Sequence, residues 1–140
     1  TYPGLPHRME RIRQTGGVTF VNDSKATNPT ATAPALAAFE RIRWICGGLA
    51  KTDNLDECAP SFGHVRKAYT IGEAGELFAS LLSPHMVVAQ CQTLERAVGE
   101  AAAEAEDGDT VLLSPACASF DQFRDFEARG DAFRALVEAL

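Results

Sequence analysis

The sequence predicts an α/β fold: a mostly parallel sheet with helices on both faces and an antiparallel hairpin at one edge. Three observations carry this expectation. Short, nearly continuous apolar runs alternate with helical patterns, as in a sheet buried on both faces. The first two runs are instead joined by Thr15-Gly16-Gly17, a hairpin signal. The 140 residues, 46% of them hydrophobic, suffice for one domain with its own core.

The opening Thr1-Tyr2-Pro3-Gly4-Leu5-Pro6 holds two prolines and a glycine and reads as a linker. Residues 1–8 are expected to be an interdomain remnant and residues 9–140 the domain. No Met stands at position 1, so a fragment of a longer protein is expected. Residues 9–14 and 18–21 alternate in polarity as the two hairpin strands. Residues 29–39 are Ala-rich and helical, with Asn28 as a possible cap and Pro29 at the first helical position. A strand is expected over 42–46, a short helix interrupted by Pro60 over 55–62, and a strand over 68–71. A helix at 74–82, a strand at 86–89 and a Thr93-capped helix at 94–106 follow. Asp107-Gly108-Asp109 is a turn, 110–113 a strand, and 133–140 a closing amphipathic helix. This order is Rossmann-like.

Composition excludes several function classes. The net charge is −6, which argues against a nucleic-acid partner. No apolar run approaches the roughly 18 residues of a membrane span, so no membrane partner is expected. The four cysteines, at 46, 58, 91 and 117, form no C-x-x-C pair, and the three histidines are scattered. Neither a metal site nor a disulfide framework is expected, and a reducing cytoplasm is the default location.

In such a sheet ligands bind beyond the carboxyl ends of the strands. Three loops there are rich in chemistry: residues 22–28, 47–54 and 114–123. The segment Gly72-Glu73-Ala74-Gly75 reads only as a turn. Two of the three lysines, Lys25 and Lys51, fall in these loops. A flexible ammonium there can hold a phosphate or carboxylate, and the competing reading is a solvated loop lysine. The ten arginines read mostly as exposed helix or strand positions. There is no Gly-x-x-x-x-Gly-Lys-Ser/Thr loop and no Gly-x-Ser-x-Gly elbow. Cys117 could be a nucleophile, but a small packing residue is the plainer reading.

Four segments, in order, resemble the C-terminal domain of the Mur ligases, and most of all its D-glutamate-adding branch. They are Gly4-Leu5-Pro6-His7-Arg8, Asn22-Asp23-Ser24-Lys25-Ala26-Thr27-Asn28, and Gly47-Gly48-x-x-Lys51. The fourth runs from Leu112-Leu113-Ser114-Pro115-Ala116-Cys117-Ala118-Ser119-Phe120-Asp121-Gln122-Phe123 to Phe126-Glu127-x-Arg129-Gly130-Asp131. Leu49-Ala50 departs from the family, where Asp-Gly or Leu-Asp is frequent.

The resemblance implies one domain of a three-domain, ATP-dependent amide ligase of peptidoglycan precursor synthesis. ATP and Mg2+ would be held mainly by a central domain that this chain lacks. The substrates implied are D-glutamate, ATP and UDP-N-acetylmuramoyl-L-alanine, and the protein would be a cytoplasmic monomer. By matching position, Thr27 and Lys51 would hold one carboxylate of D-glutamate. Ser119 and the segment through Phe126 would hold the other, partly by backbone N–H groups. Arg8, Asp23, Lys25 and Asn28 would face the nucleotide. No catalytic residue is expected within this chain. Two alternatives stand: the equivalent domain of another Mur-type or folylpolyglutamate-type ligase, and a non-catalytic α/β binding domain.

Overall fold

The computed structural model describes residues 5–140; the linker expectation for residues 1–4 lies outside them. Six strands form one sheet in the order β1-β2-β6-β3-β4-β5. They are β1 (Glu10–Thr15), β2 (Val18–Asn22), β3 (Ile42–Gly47), β4 (Val65–Ile71), β5 (Val87–Gln92) and β6 (Thr110–Leu113). The β1–β2 hairpin is antiparallel, and every other pairing is parallel. The expected architecture, hairpin edge included, is thus present.

Four α-helices cover the sheet: α1 (Pro29–Ala38), α2 (Gly75–Leu82), α3 (Leu94–Glu104) and α4 (Phe126–Glu138). Alternate residues of each central strand face opposite layers. Ile42, Trp44 and Cys46 of β3 join Leu112 under α1 and α2. Ile45 joins Val111 and Leu113 under α3 and α4, with Phe133 and Val137 packed on them. Both faces of the central strands are therefore closed to water.

Three expectations are corrected. The closing helix begins at Phe126, not 133, because the Asp125 side chain caps it by accepting from Ala128 N at 2.7 Å. The segment expected as a helix over 55–62 is a 3-10 helix, Asp56–His64, with Pro60 inside it. Proline supplies no N–H, so a regular α-helical ladder is interrupted there. Third, Arg43 and Arg129 are buried, not exposed.

The chain runs from β2 through β3 and β4 to β5, then returns to place β6 between β2 and β3. That reversal sets the carboxyl ends of β2, β6 and β3 side by side. Such a switch point is where open α/β sheets hold ligands.

Candidate functional site at the carboxyl edge of the sheet

The loop after β2 is clamped from several sides. Asp23 N donates to Leu113 O at 2.7 Å. Asp23 Oδ1 accepts from Met9 N at 3.0 Å, and Oδ2 accepts from the Ser114 hydroxyl at 2.6 Å. Burial pushes the Asp23 carboxyl up to about 6; the hydrogen bonds from Ser114 and Met9 and the charge of Arg8 only partly oppose it.

The loops after β3 and β6 are stitched together. Leu49 N donates to Ala118 O at 2.9 Å and Ala118 N donates to Leu49 O at 3.0 Å. Gly48 lies so close to Cys117 and Ala118 that a Cβ there would stand 2.6 Å from Ala118 O, and its φ of +130° favours glycine. The Gly72–Gly75 turn, read from sequence as mere punctuation, is part of this edge. Ala74 N donates to Gly48 O at 2.8 Å, and Asp121 accepts from Glu73 N at 2.9 Å.

Of the residues expected to bind ligand, Thr27 and Lys51 meet: Lys51 Nζ donates to Thr27 Oγ1 at 3.4 Å. Ser119 follows the Leu49–Ala118 bridge directly and is buried. Phe126 opens α4, and the Lys25 ammonium lies 5.3 Å from its ring centroid. Arg8, Asp23 and Lys25 line one cavity of about 220 Å³ with Met9, Ala26, Ala31 and Pro34. Asn28 lies outside that lining and caps α1, accepting from Ala31 N at 2.8 Å. Cys117 is fully buried, and burial pushes its thiol up to about 12, so it packs and is no nucleophile.

Sequence reasoning missed Arg129. Its motif was visible, but ten arginines in a chain of this size read as surface charges. Arg129 is 1% exposed. Its Nε donates to Ser24 Oγ at 2.9 Å, Nη2 to Ser24 O at 2.7 Å and Nη1 to Cys117 O at 2.9 Å. The Ser24 hydroxyl in turn donates to Phe126 O at 2.7 Å. Burial draws the guanidinium down to about 10, and its neighbours Cys117 and Asp121 only partly oppose that shift.

The edge therefore presents one ammonium beside a hydroxyl, a cavity lined by one carboxylate and two cationic side chains, and several loop backbones. Such an arrangement suits anions of more than one kind. Among the described residues, no three His, Cys, Asp or Glu side chains gather as a metal-ligand set. Among them, too, no helix is long and apolar enough to cross a membrane.

Comparison with known proteins gives this site a context. A protein from Novosphingobium aromaticivorans named UDP-N-acetylmuramoylalanine–D-glutamate ligase is 66% identical over the whole chain, which covers 32% of that relative. Proteins of the same name from Zymomonas mobilis and Sphingopyxis alaskensis are 58% and 54% identical, again over the whole chain and over 32% and 33% of their own lengths. The chain thus spans about a third of the length of these curated relatives.

Solved structures share the fold. UDP-N-acetylmuramate-alanine ligase from Thermotoga maritima superposes with a TM-score of 0.64 at 12% identity, over 99% of this chain and 31% of that one. A bifunctional folylpolyglutamate synthase/dihydrofolate synthase from Yersinia pestis gives 0.64 at 21% identity, over 96% and 32%. The family model described as Mur ligase, glutamate ligase domain, matches residues 7–117. That match takes in the loops after β2 and β3 and the start of the loop after β6, and the chain belongs to the Mur ligase glutamate ligase domain family.

Proposed function

We propose that this chain is the acceptor-binding domain of a cytoplasmic, monomeric ligase that joins D-glutamate to UDP-N-acetylmuramoyl-L-alanine with ATP. The observation that carries the reading is the meeting of Lys51 and Thr27, 3.4 Å apart, from loops after two different strands. Its support is the 66% identity to a relative of that name. D-Glutamate carries two carboxylates, so its pocket needs donors in two places. In this reading Lys51 and Thr27 take one. Ser119 and backbone N–H groups near the start of α4 take the other, as a helix start suits an anion.

The chain's own residues fit part of a nucleotide. The cavity beside Arg8, Asp23 and Lys25 is about 220 Å³, smaller than the roughly 300–1,000 Å³ of a pocket enclosing a whole drug-sized ligand. Lys25 and Arg8 would draw phosphate, and Asp23 would accept from sugar hydroxyls. Asn28 in this reading holds the helix beneath the nucleotide-facing loop. ATP supplies the phosphoryl group that activates the acceptor-joining carboxylate. Among the described residues no gathered set suits Mg2+, which in this reading is held by the rest of the protein. With a net charge of −6, neither nucleic acid nor membrane is a partner in this reading.

The test is steady-state kinetics on the full-length protein. Lys51→Ala is expected to raise the D-glutamate KM at least about tenfold, the worth of one charge-assisted hydrogen bond. The ATP KM should move much less. Equal effects on both substrates, or preferred use of another amino acid, would overturn the reading.

A further inference from the structure

Arg129 is a buried cation whose acceptors are all neutral. We infer that Arg129 sets the charge specificity of the acceptor pocket, positioning its Ser119–Phe126 half and providing the counter-charge for one acceptor carboxylate. The inference rests on the proposed reading of that pocket as one for a dicarboxylic amino acid.

Charged side chains are almost never fully buried without a charged partner. Arg43, the other buried arginine, obeys the rule: its Nε donates to Asp109 at 3.0 Å. Arg129 departs from it. Its three hydrogen bonds end on the Ser24 hydroxyl, the Ser24 carbonyl and the Cys117 carbonyl. Among the described residues no carboxylate oxygen lies within 4.0 Å of its guanidinium. Asp121 acts on it electrostatically, but Asp121 is exposed and bound to Glu73 N. Carbonyl dipoles solvate a cation without cancelling its charge. A full positive charge therefore stands just beneath the pocket.

Its contacts place it under one half of that pocket. The Cys117 carbonyl it holds is two residues before Ser119. The Ser24 hydroxyl it holds passes the constraint on to the Phe126 carbonyl at 2.7 Å. Gly48 of the loop after β3 is also close, with an ideal Cβ 3.5 Å from Nη1. A fixed charge in a water-poor setting acts on a nearby anion more strongly than a solvated one does. It favours a carboxylate over a neutral amide of the same shape, and it is already in place before the ligand arrives.

The experiment compares D-glutamate with its two mono-amides, D-glutamine and D-isoglutamine, as acceptors for the full-length protein. Arg129→Gln is expected to lower kcat/KM for D-glutamate at least tenfold, through KM, while the ATP KM stays within about threefold. For one mono-amide, the one lacking the carboxylate that Arg129 serves, kcat/KM should hardly change. Arg129→Lys keeps the charge and should keep the preference for D-glutamate, at a weaker absolute KM because a single ammonium cannot reproduce the fork. Equal losses for D-glutamate and both mono-amides would show a purely structural role and overturn the inference. If Arg129→Gln does not fold, Arg129→Lys decides alone: a folded Lys variant that has lost the preference overturns it. A wild-type protein that does not use D-glutamate at all would instead overturn the acceptor reading beneath it.

Discussion

The Ser114 hydroxyl lies 2.6 Å from Asp23 Oδ2, joining the ends of β6 and β2 through a carboxyl group that burial holds at about 6. The Thr32 hydroxyl stands 3.0 Å behind Ser114, and Met9 N–H binds the other oxygen at 3.0 Å. Among the described residues no cation pairs with Asp23 within 4.0 Å, and burial outweighs the charge of Arg8, so its ionisation opposes folding. The unfolded group ionises near 3.9. Between about pH 4 and pH 6 the native state holds more protons than the unfolded state, so stability falls as pH rises through that window. At about 1.4 kcal/mol per tenfold, the full effect is about 3 kcal/mol above pH 6.

Asp23→Asn removes that ionisation while keeping the shape. The variant should match wild type near pH 4 and exceed it in urea unfolding by up to about 3 kcal/mol at pH 7.5. The proposed role of Asp23 toward sugar hydroxyls predicts that its ATP KM rises at the same time. A variant no more stable at pH 7.5 than at pH 4, relative to wild type, would mean that Asp23 ionises without strain.

The opposite edge of the sheet gives the opposite slope. Asp109 is buried just before β6 and accepts from Arg41 Nε at 3.2 Å, Arg43 Nε at 3.0 Å and Arg66 Nη1 at 3.1 Å. Burial raises its carboxyl, but the Glu106 N–H and the three guanidiniums outweigh it and hold the group below the usual carboxylate range. Its stabilisation is present at neutral pH and is lost as pH falls below about 4. Asp109→Ala strands Arg43 in the interior and should cost about 3–5 kcal/mol. Asp109→Asn should flatten the acid limb of the urea-midpoint curve. The site is remote from the carboxyl edge, so KM values of the folded variants should stay unchanged.

These two aspartates mark what sequence could and could not reveal. Polar runs such as residues 22–28, set between apolar strands, are visible because little but a ligand edge or a turn tolerates them there. The pairing of Thr27 with Lys51 was reachable through the family resemblance, since 24 residues separate them. Burial of individual charges was not reachable. Asp109 reads as turn chemistry beside Gly108, and its three arginine partners come from β3, β4 and the connection before β3. Arg129 hides inside Phe126-Glu127-Ala128-Arg129-Gly130, a stretch that the expected helix over 133–140 left outside it. Gly130 is there because a Cβ would collide with His7 Nδ1, not because the helix ends. Strand order, too, depends on long-range pairing that local periodicity does not encode.

The last prediction concerns Thr70 in β4. The strand is paired on both sides, with Thr70 opposite Cys46 and Gln90. Thr70 is fully buried, and its hydroxyl is the one buried side-chain polar atom among the described residues that finds no hydrogen-bond partner. It sits beneath the start of α2, 3.5 Å from where a Gly75 Cβ would stand. Leaving such a group unpaired costs about 1–3 kcal/mol, whereas an apolar group of the same shape carries no such penalty. Valine is that group, and its β-branch suits the strand equally. Thr70→Val should therefore raise stability by about 1 kcal/mol, read as a higher urea midpoint at constant m-value. The adjoining cavity of about 180 Å³ is lined by Gln90, Gln92, Glu73 and Glu76 and offers room for water. A loss of stability of about 1 kcal/mol in Thr70→Val would show that an ordered water from that cavity serves the hydroxyl. A gain would show that the hydroxyl is a defect which the packing of β4 carries unaided.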